Sequence, residues 1–174
     1  MTLRQTLPGI IRTGRLTLRA PAMADLAALV SLANNWNVVS TTAAMPFPYL
    51  EAHGREFIEG ANDPQNPLAY VIAQAGVPLG VISLKFAGAG PPELGYWLGE
   101  PHWRKGYAPE AVAAIMDAVR AGGLISAVKA RVLTENPASV RVLEKAGFVV
   151  VEQTTSVIER HLGKPLLIMG WSPC

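Results

Sequence analysis

Two basic residues and a glycine stand together where a loop leads into a helix, in the segment Trp103-Arg104-Lys105-Gly106-Tyr107-Ala108-Pro109. Such a loop directs several backbone N–H groups at one point, and the helix dipole and the two side-chain charges add positive potential there. This arrangement suits an anion, and a diphosphate in particular. An ordinary strand-to-helix turn, with Pro109 in the first turn of the helix, explains the same residues equally well. The phosphate-binding pattern GxxxxGK[ST] is absent.

A second polar group opens a later helix, where Asn136 precedes Pro137 and Ser139. Asn136 is typical of an N-cap and Pro137 of the first helical position, so the segment alone is better explained as a capped helix than as a site. Gly147 followed by Phe148 predicts where that helix ends. No metal site is predicted, because the histidines match no metal-ligand spacing; they are His53, His102 and His161.

The composition limits the classes of protein to which the chain can belong. It has 174 residues, of which 50% are hydrophobic and 16% charged, with a formal net charge of +2. These values favour one domain over residues 1–174, exclude disorder as the main state, and give no reason to expect a nucleic-acid or membrane partner. No signal peptide or membrane-spanning run is expected. The single cysteine, Cys174, excludes an intrachain disulfide and fits a reducing compartment, so we expect a cytoplasmic protein.

Strands and helices alternate along the sequence. Period-two alternation predicts the first of seven strands, and turn residues separate the strands that follow it. Apolar stripes at helical spacing predict two of four helices, the first with Asp25 contributing to its cap. The predicted strands cover residues 15–19, 68–75, 78–86, 93–99, 127–133, 148–159 and 164–171, and the predicted helices cover 25–34, 49–60, 108–121 and 136–146. Short connections make strands two to four an antiparallel meander. The order β-α-α-β-β-β-α-β-α-β-β indicates an α/β mixed sheet with helices on its faces.

Taken together, these segments resemble the GNAT acetyltransferase superfamily, and within it the RimJ/RimL-like branch. The resemblance runs from about residue 12 to residue 172, and five segments in order carry it. They are Arg15-Leu16-Thr17-Leu18-Arg19, Gly80-Val81-Ile82-Ser83-Leu84, Glu93-Leu94-Gly95-Tyr96-Trp97-Leu98-Gly99, Gly106-Tyr107-Ala108-Pro109-Glu110-Ala111, and the group Asn136, Ser139, Leu143, Lys145, Gly147 and Phe148. The sequence departs from the family at Trp103, where a polar or basic residue is usual.

The resemblance implies a mostly antiparallel central sheet of about seven strands and an acetyl-CoA site where two neighbouring strands part. These would be the strand that ends at Gly99 and the strand over residues 127–133. A bulge in the first would free backbone groups of Trp97, Leu98 and Gly99 for the pantetheine arm. The diphosphate would lie on Arg104, Lys105, Gly106, Tyr107 and Ala108, and the cofactor arm would meet Asn136 and Ser139 from the other side. Acetyl-CoA is then a cosubstrate, and no metal is needed.

The mechanism that the resemblance implies is direct attack of a neutral primary amine on the thioester. Glu93 is the candidate base, since strand alternation places it on the face of Gly95 and Trp97, although a surface carboxylate at a strand end explains it as well. The backbone N–H near Leu98 would stabilise the carbonyl oxygen. Many members use a tyrosine where this sequence has Leu143. Ser139 or a water would therefore protonate the thiolate, unless Ser139 only serves the helix N-terminus.

The acceptor side is less defined. Trp36, Phe47 and Tyr49 could line an opening for a protein N-terminus or a small-molecule amine, or fill the core beneath a loop. His161, in the turn over residues 159–164, is interpreted as a solvated residue. The apolar segment 166–169 suggests a homodimer surface or burial within one domain. An alternative function is a non-catalytic acyl-CoA-binding or sensing domain, and a third is a nucleotide-binding regulatory domain.

Overall fold

The computed structural model describes residues 2–173 as an eight-stranded sheet with helices on both faces. Cys174 lies outside the described residues. The strands are β1 (Ile10–Arg12), β2 (Thr17–Arg19), β3 (Leu68–Gln74), β4 (Val77–Lys85), β5 (Glu93–Leu98), β6 (Val128–Leu133), β7 (Val149–Thr155) and β8 (Pro165–Trp171). The helices are α1 (Leu26–Ala33), α2 (Trp36–Val39), α3 (Glu51–Glu59), α4 (Tyr107–Gly122) and α5 (Pro137–Lys145), with 3-10 turns at Leu3–Thr6, Met23–Asp25, Gly60–Asn62, Glu100–His102 and Glu159–His161.

The sheet has the order β1-β2-β3-β4-β5-β6-β8-β7. Every neighbouring pair is antiparallel except β5 and β6, which run parallel. The predicted fold class and the β3–β5 meander are therefore confirmed. The additional strand is β1, whose three residues are too few to show an alternating pattern and which pairs with β2 through Ile11 and Leu18.

Strand alternation sends successive side chains into two separate cores. One core contains Tyr70 and Ile72 of β3 and packs against α4 and α5. The other contains Ala69 and Val71 of the same strand and packs against α1 and α3. The sheet thus separates a face covered by α4 and α5 from a face covered by α1 and α3.

β5 and β6 are paired over two residues only. Glu93 lies opposite Lys129 and Leu94 opposite Ala130, and no further pair joins the two strands. Beyond these pairs the strands part, and residues 95–98 and 131–133 border an open gap. The parting of the two strands predicted from the sequence is confirmed.

The bulge predicted near Trp97 is not in β5, which keeps an unbroken register with β4 from Lys85–Glu93 to Gly80–Leu98. The extra residue lies one strand away, in β4, where the register with β3 shifts between Ile72 and Ala73. At the same place the β5 backbone approaches β4 closely, because a Cβ atom on Gly80 would stand 2.1 Å from the Trp97 carbonyl oxygen. Glycine at position 80 therefore permits the close approach of β5 to β4 beside the β4 bulge.

The helix ends follow their local sequence with one exception. The Gly147 N–H donates to the Glu144 carbonyl and the Phe148 N–H to that of Leu143, so α5 ends as predicted, in a Schellman motif over buried Phe148. Asp25 contributes to the helix start as predicted, but through the Ala22 N–H of the preceding 3-10 turn, and its side chain caps no N–H of α1. Its buried carboxylate accepts two bonds of 2.7 Å from Arg19 and one of 2.9 Å from the Ala22 N–H. Burial alone would raise the pKa of Asp25, but these hydrogen bonds outweigh it and lower the pKa.

Candidate active site

The gap between β5 and β6 opens into a cavity of about 1520 Å³. It reaches from the start of α4 through the gap to the face of the sheet that α1 and α3 cover. Every residue predicted for the site borders it except Gly99 and Lys105: Glu93, Trp97, Leu98, Arg104, Gly106, Tyr107, Ala108, Asn136 and Ser139. The fold therefore brings together segments that are up to 46 residues apart in the sequence, from Glu93 to Ser139.

The loop before α4 has the conformation that an anion site requires. Arg104 and Gly106 both adopt left-handed backbone angles, with φ of 60° and 79°. Gly106 is the N-cap of the 16-residue helix α4, so the N–H groups of Tyr107 and Ala108 have no partner within the helix. The third residue, Pro109, has no N–H, and the Glu110 N–H donates to the Gly106 carbonyl oxygen. The side chains of Arg104 and Lys105 are exposed at this point. The loop therefore presents backbone donors and Arg104 at one end of the gap, with Lys105 exposed beside them.

Two aromatic side chains fasten this loop to the sheet. The Nε1 of Trp103 donates to the Leu98 carbonyl oxygen over 2.8 Å, which ties the loop to the end of β5. The hydroxyl of buried Tyr107 donates to Gln74 of β3 over 2.9 Å. The side chain of Tyr107 is thus an anchor, and only its backbone N–H faces the anion site. Trp103, where the sequence departs from the family pattern, has a positioning contact of its own.

Ser139 and Tyr96 meet across the gap. Their hydroxyl oxygens are 2.6 Å apart, one on α5 and the other on β5. The Ser139 N–H donates to the capping oxygen of Asn136 over 3.2 Å, so the side chain of Ser139 is not used by the helix N-terminus. Burial raises the pKa of Tyr96, although the bond with Ser139 opposes this, and the phenol stays protonated at neutral pH. Sequence reasoning missed Tyr96 because only the fold places it beside α5.

Glu93 stands at the closed end of the gap, beside an arginine. Its two carboxylate oxygens accept bonds of 3.0 and 2.8 Å from Nε and Nη2 of Arg131 on β6. The Glu93 side chain is 23% exposed, and both residues border the cavity. The alternation of β6 could have revealed Arg131, since it lies two residues after Lys129, the register partner of Glu93.

The segment over residues 35–49, which holds the aromatic residues predicted for the acceptor opening, contacts the turn over residues 159–164 directly. The guanidinium of Arg160 donates to the carbonyl oxygens of Val39 and Thr42 over 3.0 and 3.1 Å and to that of Met45 over 2.6 Å. His161 is 4% exposed, and its Nε2 lies 2.6 Å from the Ser40 carbonyl oxygen. The interpretation of His161 as a solvated turn residue is therefore wrong. The turn after β7 holds residues 39–45 in place over one side of the cavity.

The three aromatic residues predicted for the acceptor opening have different positions. Tyr49 is buried and lines the cavity. Trp36 and Phe47 are 50% and 48% exposed, pack edge to face with ring centroids 5.3 Å apart, and do not line the cavity. In the segment 166–169, Met169 is fully buried and β8 is paired on both edges. Packing within the chain thus accounts for Met169, while Leu166, Leu167 and Ile168 are half-buried.

Over residues 2–173, no group of three or more His, Cys, Asp or Glu side chains is gathered to hold a metal ion. Within the same residues, no helix is both long and apolar enough to cross a membrane.

Three comparisons relate this architecture to known proteins. The family described as "Acetyltransferase (GNAT) domain" matches residues 15–149. The uncharacterized N-acetyltransferase p20 of Bacillus licheniformis is 27% identical over 143 residues, which are 78% of this chain and 80% of that protein.

Two solved structures share the fold. The microcin C7 self-immunity acetyltransferase MccE, in complex with acetyl-CoA and AMP, matches with a TM-score of 0.81 and 20% identity over 92% of this chain and 94% of that one. RimL, a ribosomal L7/L12 alpha-N-protein acetyltransferase in complex with CoA, matches with a TM-score of 0.80 and 19% identity over 94% and 97%.

Proposed function

This chain belongs to the GNAT acetyltransferase family, and we propose that it transfers the acetyl group of acetyl-CoA to a primary amine. The observation that carries the proposal is the gap between β5 and β6, with the N-terminus of α4 at one end. The acetyl-CoA and CoA bound by MccE and RimL support acetyl-CoA as the cosubstrate. The acceptor is either a protein N-terminus or a small molecule.

In this proposal the cofactor lies along the gap. Its diphosphate binds the N–H groups of Gly106, Tyr107 and Ala108 and the charges of Arg104 and Lys105. Its pantetheine arm lies along Trp97, Leu98 and Gly99 on one side and Asn136 and Ser139 on the other, where β5 lacks a β6 partner. Backbone groups beside a gap are suited to pair with amides of a ligand, as they would with a neighbouring strand.

The acetyl group then faces the closed end of the gap, near Glu93. The amine nitrogen attacks the thioester carbon, the C–S bond breaks, and the amine loses one proton while the thiolate gains one. We assign the first proton to Glu93, directly or through a water. A carboxylate has about four acceptor positions, of which Arg131 uses two, so two are left for an amine or a water. The N–H near Leu98 is the proposed donor to the carbonyl oxygen.

The second proton comes from Ser139, which is hydrogen-bonded to Tyr96. Tyr96 replenishes the Ser139 proton or orients the hydroxyl toward the sulfur. A tyrosine thus reaches the gap from β5, although the helical position that many members use holds Leu143. An ordinary thiol pKa near ~8.5 means that the thiolate needs only modest help at neutral pH.

The decisive experiment has two stages. Isothermal titration measures binding of acetyl-CoA, and a thiol-release assay then measures turnover over a panel of polyamines, amino acids and peptides with free N-termini. Binding with turnover of at least one amine is the expected result. Binding without turnover over the whole panel supports the sensing alternative, and equal competition by ATP supports the nucleotide-binding one.

The role of Glu93 is tested separately. Glu93→Gln lowers turnover and leaves acetyl-CoA affinity unchanged, because the amide keeps the shape but does not accept the proton. Glu152→Gln is the matched control, since this β7 carboxylate borders the same cavity and has no assigned role. Normal turnover of Glu93→Gln at every pH would dismiss Glu93 as the base.

A further inference from the structure

We propose that Arg15 is the positioning residue for the diphosphate of acetyl-CoA: it holds the loop before α4 in its binding shape. The inference rests on the proposed function, because it concerns the same cofactor site. Arg15 lies before β2 and is 90 residues from Lys105 in the sequence. Nothing in the spacing of the two segments predicts their contact.

The side chain of Arg15 contacts the loop and the first turn of the helix. Its Nη1 donates to the Lys105 carbonyl oxygen over 2.9 Å. Its guanidinium carbon stands 4.6 Å from the ring centroid of Tyr107, in a cation–π contact. Its Nη2 would be 3.2 Å from a Cβ atom on Gly106, so it lies directly beside the glycine. One guanidinium thus touches three consecutive residues of the proposed diphosphate site.

The contact with Lys105 falls at the point where the loop needs support. Lys105 lies between Arg104 and Gly106, the two residues with left-handed backbone angles. Such angles are disfavoured for a residue like Arg104 that has a Cβ atom, and they persist where surrounding contacts enforce them. A bond to the Lys105 carbonyl fixes the orientation of the Lys105–Gly106 peptide unit, which carries the Gly106 N–H. The direction of the N–H groups that would bind phosphate therefore depends on Arg15.

Arg15 is itself held in place by Glu110. The Nε of Arg15 donates to Glu110 Oε2 over 2.7 Å, and the Arg15 backbone N–H donates to Oε1 over 3.0 Å. The Thr13 hydroxyl also donates to Oε1, over 2.5 Å. Burial would raise the pKa of Glu110, but these bonds outweigh it and lower the pKa, so the carboxylate stays charged at neutral pH.

These contacts connect two of the five segments on which the family resemblance rests. Arg15 opens the segment Arg15-Leu16-Thr17-Leu18-Arg19, and Glu110 stands in Gly106-Tyr107-Ala108-Pro109-Glu110-Ala111. The first supplies the guanidinium, and the second supplies both its carboxylate partner and the loop that it supports. The Arg15 side chain is still 44% exposed, so its charge adds to those of Arg104 and Lys105 at the cofactor entrance.

The test compares ligands with and without a diphosphate. Binding of CoA, 3′-dephospho-CoA and pantetheine is measured by titration to the wild type, Arg15→Gln and Arg15→Lys. We expect Arg15→Gln to weaken both CoA and dephospho-CoA about tenfold and to change pantetheine binding less than about twofold. In turnover, the KM for acetyl-CoA rises while kcat and the KM for the amine stay near wild type. Arg15→Lys, which keeps the charge but not the planar set of donors, recovers only part of the affinity.

Arg12→Gln is the matched control, because it removes the same charge from an exposed residue three positions earlier that has no ion pair within residues 2–173. Equal CoA affinity of Arg15→Gln and Arg12→Gln would overturn the inference. An equal loss for CoA and pantetheine would overturn it too, since that result indicates general disruption. If Arg15→Gln does not fold, Arg15→Lys decides by the same comparison. Failure of the wild type to bind CoA would instead overturn the proposed function.

Discussion

The two sides of the cavity are built in different ways. On the cofactor side, short local signals set the backbone: a left-handed glycine before α4, an asparagine cap before α5 and a Schellman end after it. On the acceptor side, the shape of residues 39–45 depends on Arg160 and His161, which are 115 to 121 residues away in the sequence. Local residues therefore set most of the backbone on the cofactor side, with Arg15 as a distant support, whereas distant residues hold the acceptor side. Substitutions can test whether the two sides are also separate in function.

The largest effect is expected on the cofactor side, from Gly106→Val. A β-branched residue at a φ of 79° meets Arg15 and costs roughly 1–2 kcal/mol or more in backbone energy, so the loop changes shape. We expect CoA affinity to fall by about 30-fold, as measured by titration, with no change in the fold by circular dichroism. Gly106→Ala is the graded control, and unchanged CoA affinity of the valine variant would remove the diphosphate from this loop.

A smaller loss is expected at the junction of the two sides, from Ser139→Ala. Without its hydroxyl the thiolate leaves unprotonated, and kcat at pH 7 falls by about tenfold. The loss shrinks above about pH 8.5, where a thiolate is stable without a proton. Tyr96→Phe, which keeps the serine, is expected to give a milder loss with the same pH trend. A kcat ratio that does not vary with pH would contradict proton donation by this pair.

On the acceptor side we expect Arg160→Gln to act on the amine alone. It removes the bonds to Val39, Thr42 and Met45, and the segment that they hold becomes looser. The KM for the amine rises by about fivefold, while the KM for acetyl-CoA stays constant. Arg55→Gln, at an exposed arginine of α3, is the control. An equal rise in both KM values would show that the two sides do not act separately.

The smallest effect is expected where the sides are joined, at Glu100. Its carboxylate accepts a bond of 2.6 Å from Asn35 and bonds of 3.2 Å from Asn37, which connect the acceptor segment to the turn after β5. Glu100→Gln should change both KM values by about twofold or less, in the same direction. A change confined to one substrate would show that the contact serves only one side.

The pH dependence of this contact follows from its hydrogen bonds. The bonds from Asn35 and then Asn37 lower the pKa of Glu100. Because the folded-state pKa is depressed, the stabilisation is present above the ordinary carboxyl pKa and is lost as the pH falls through the folded value. Thermal unfolding of wild type and Glu100→Gln should therefore differ at neutral pH and converge in strong acid.

The same division between local and distant contacts explains what the sequence could predict. Seven of the eight strands and the four longer helices lie where periodicity and capping residues predict them. The family prediction is confirmed, and the fold shared with RimL agrees with the predicted branch. The roles of the individual site residues stay predictions. The residues proposed for the diphosphate, 104–108, can be named from the sequence because they are consecutive, and their loop conformation agrees with that proposal.

The differences concern contacts that the local residue pattern does not reveal. The sequence suggests that His161 is a solvated turn residue, but its ring meets the Ser40 carbonyl oxygen, 121 residues away. The Asp25 carboxylate serves the helix start and also binds Arg19, which the sequence does not predict. The bulge expected in β5 lies in β4, next to Gly80. Because Gly80 has no Cβ atom, the backbone of β5 can approach β4 closely there. Arg15 and Tyr96 belong to recognisable segments, but their contacts with Lys105 and Ser139 follow only from how strands and helices meet.

The pairing of β5 and β6 over only two residues affects the free energy of ligand binding in the gap. The core on the α4 and α5 side is continuous beneath the opening and includes Leu94 and Leu98 of β5 and Ala130 and Val132 of β6. Because β5 and β6 already part beyond Leu94 and Ala130, binding in the gap does not require strand pairs to be broken. In the proposed function, the amides of the pantetheine arm pair with the β5 backbone groups that have no β6 partner. The sheet thus has room beside β5 for a strand-like ligand, and the free-energy cost of forming that opening belongs to folding and not to binding.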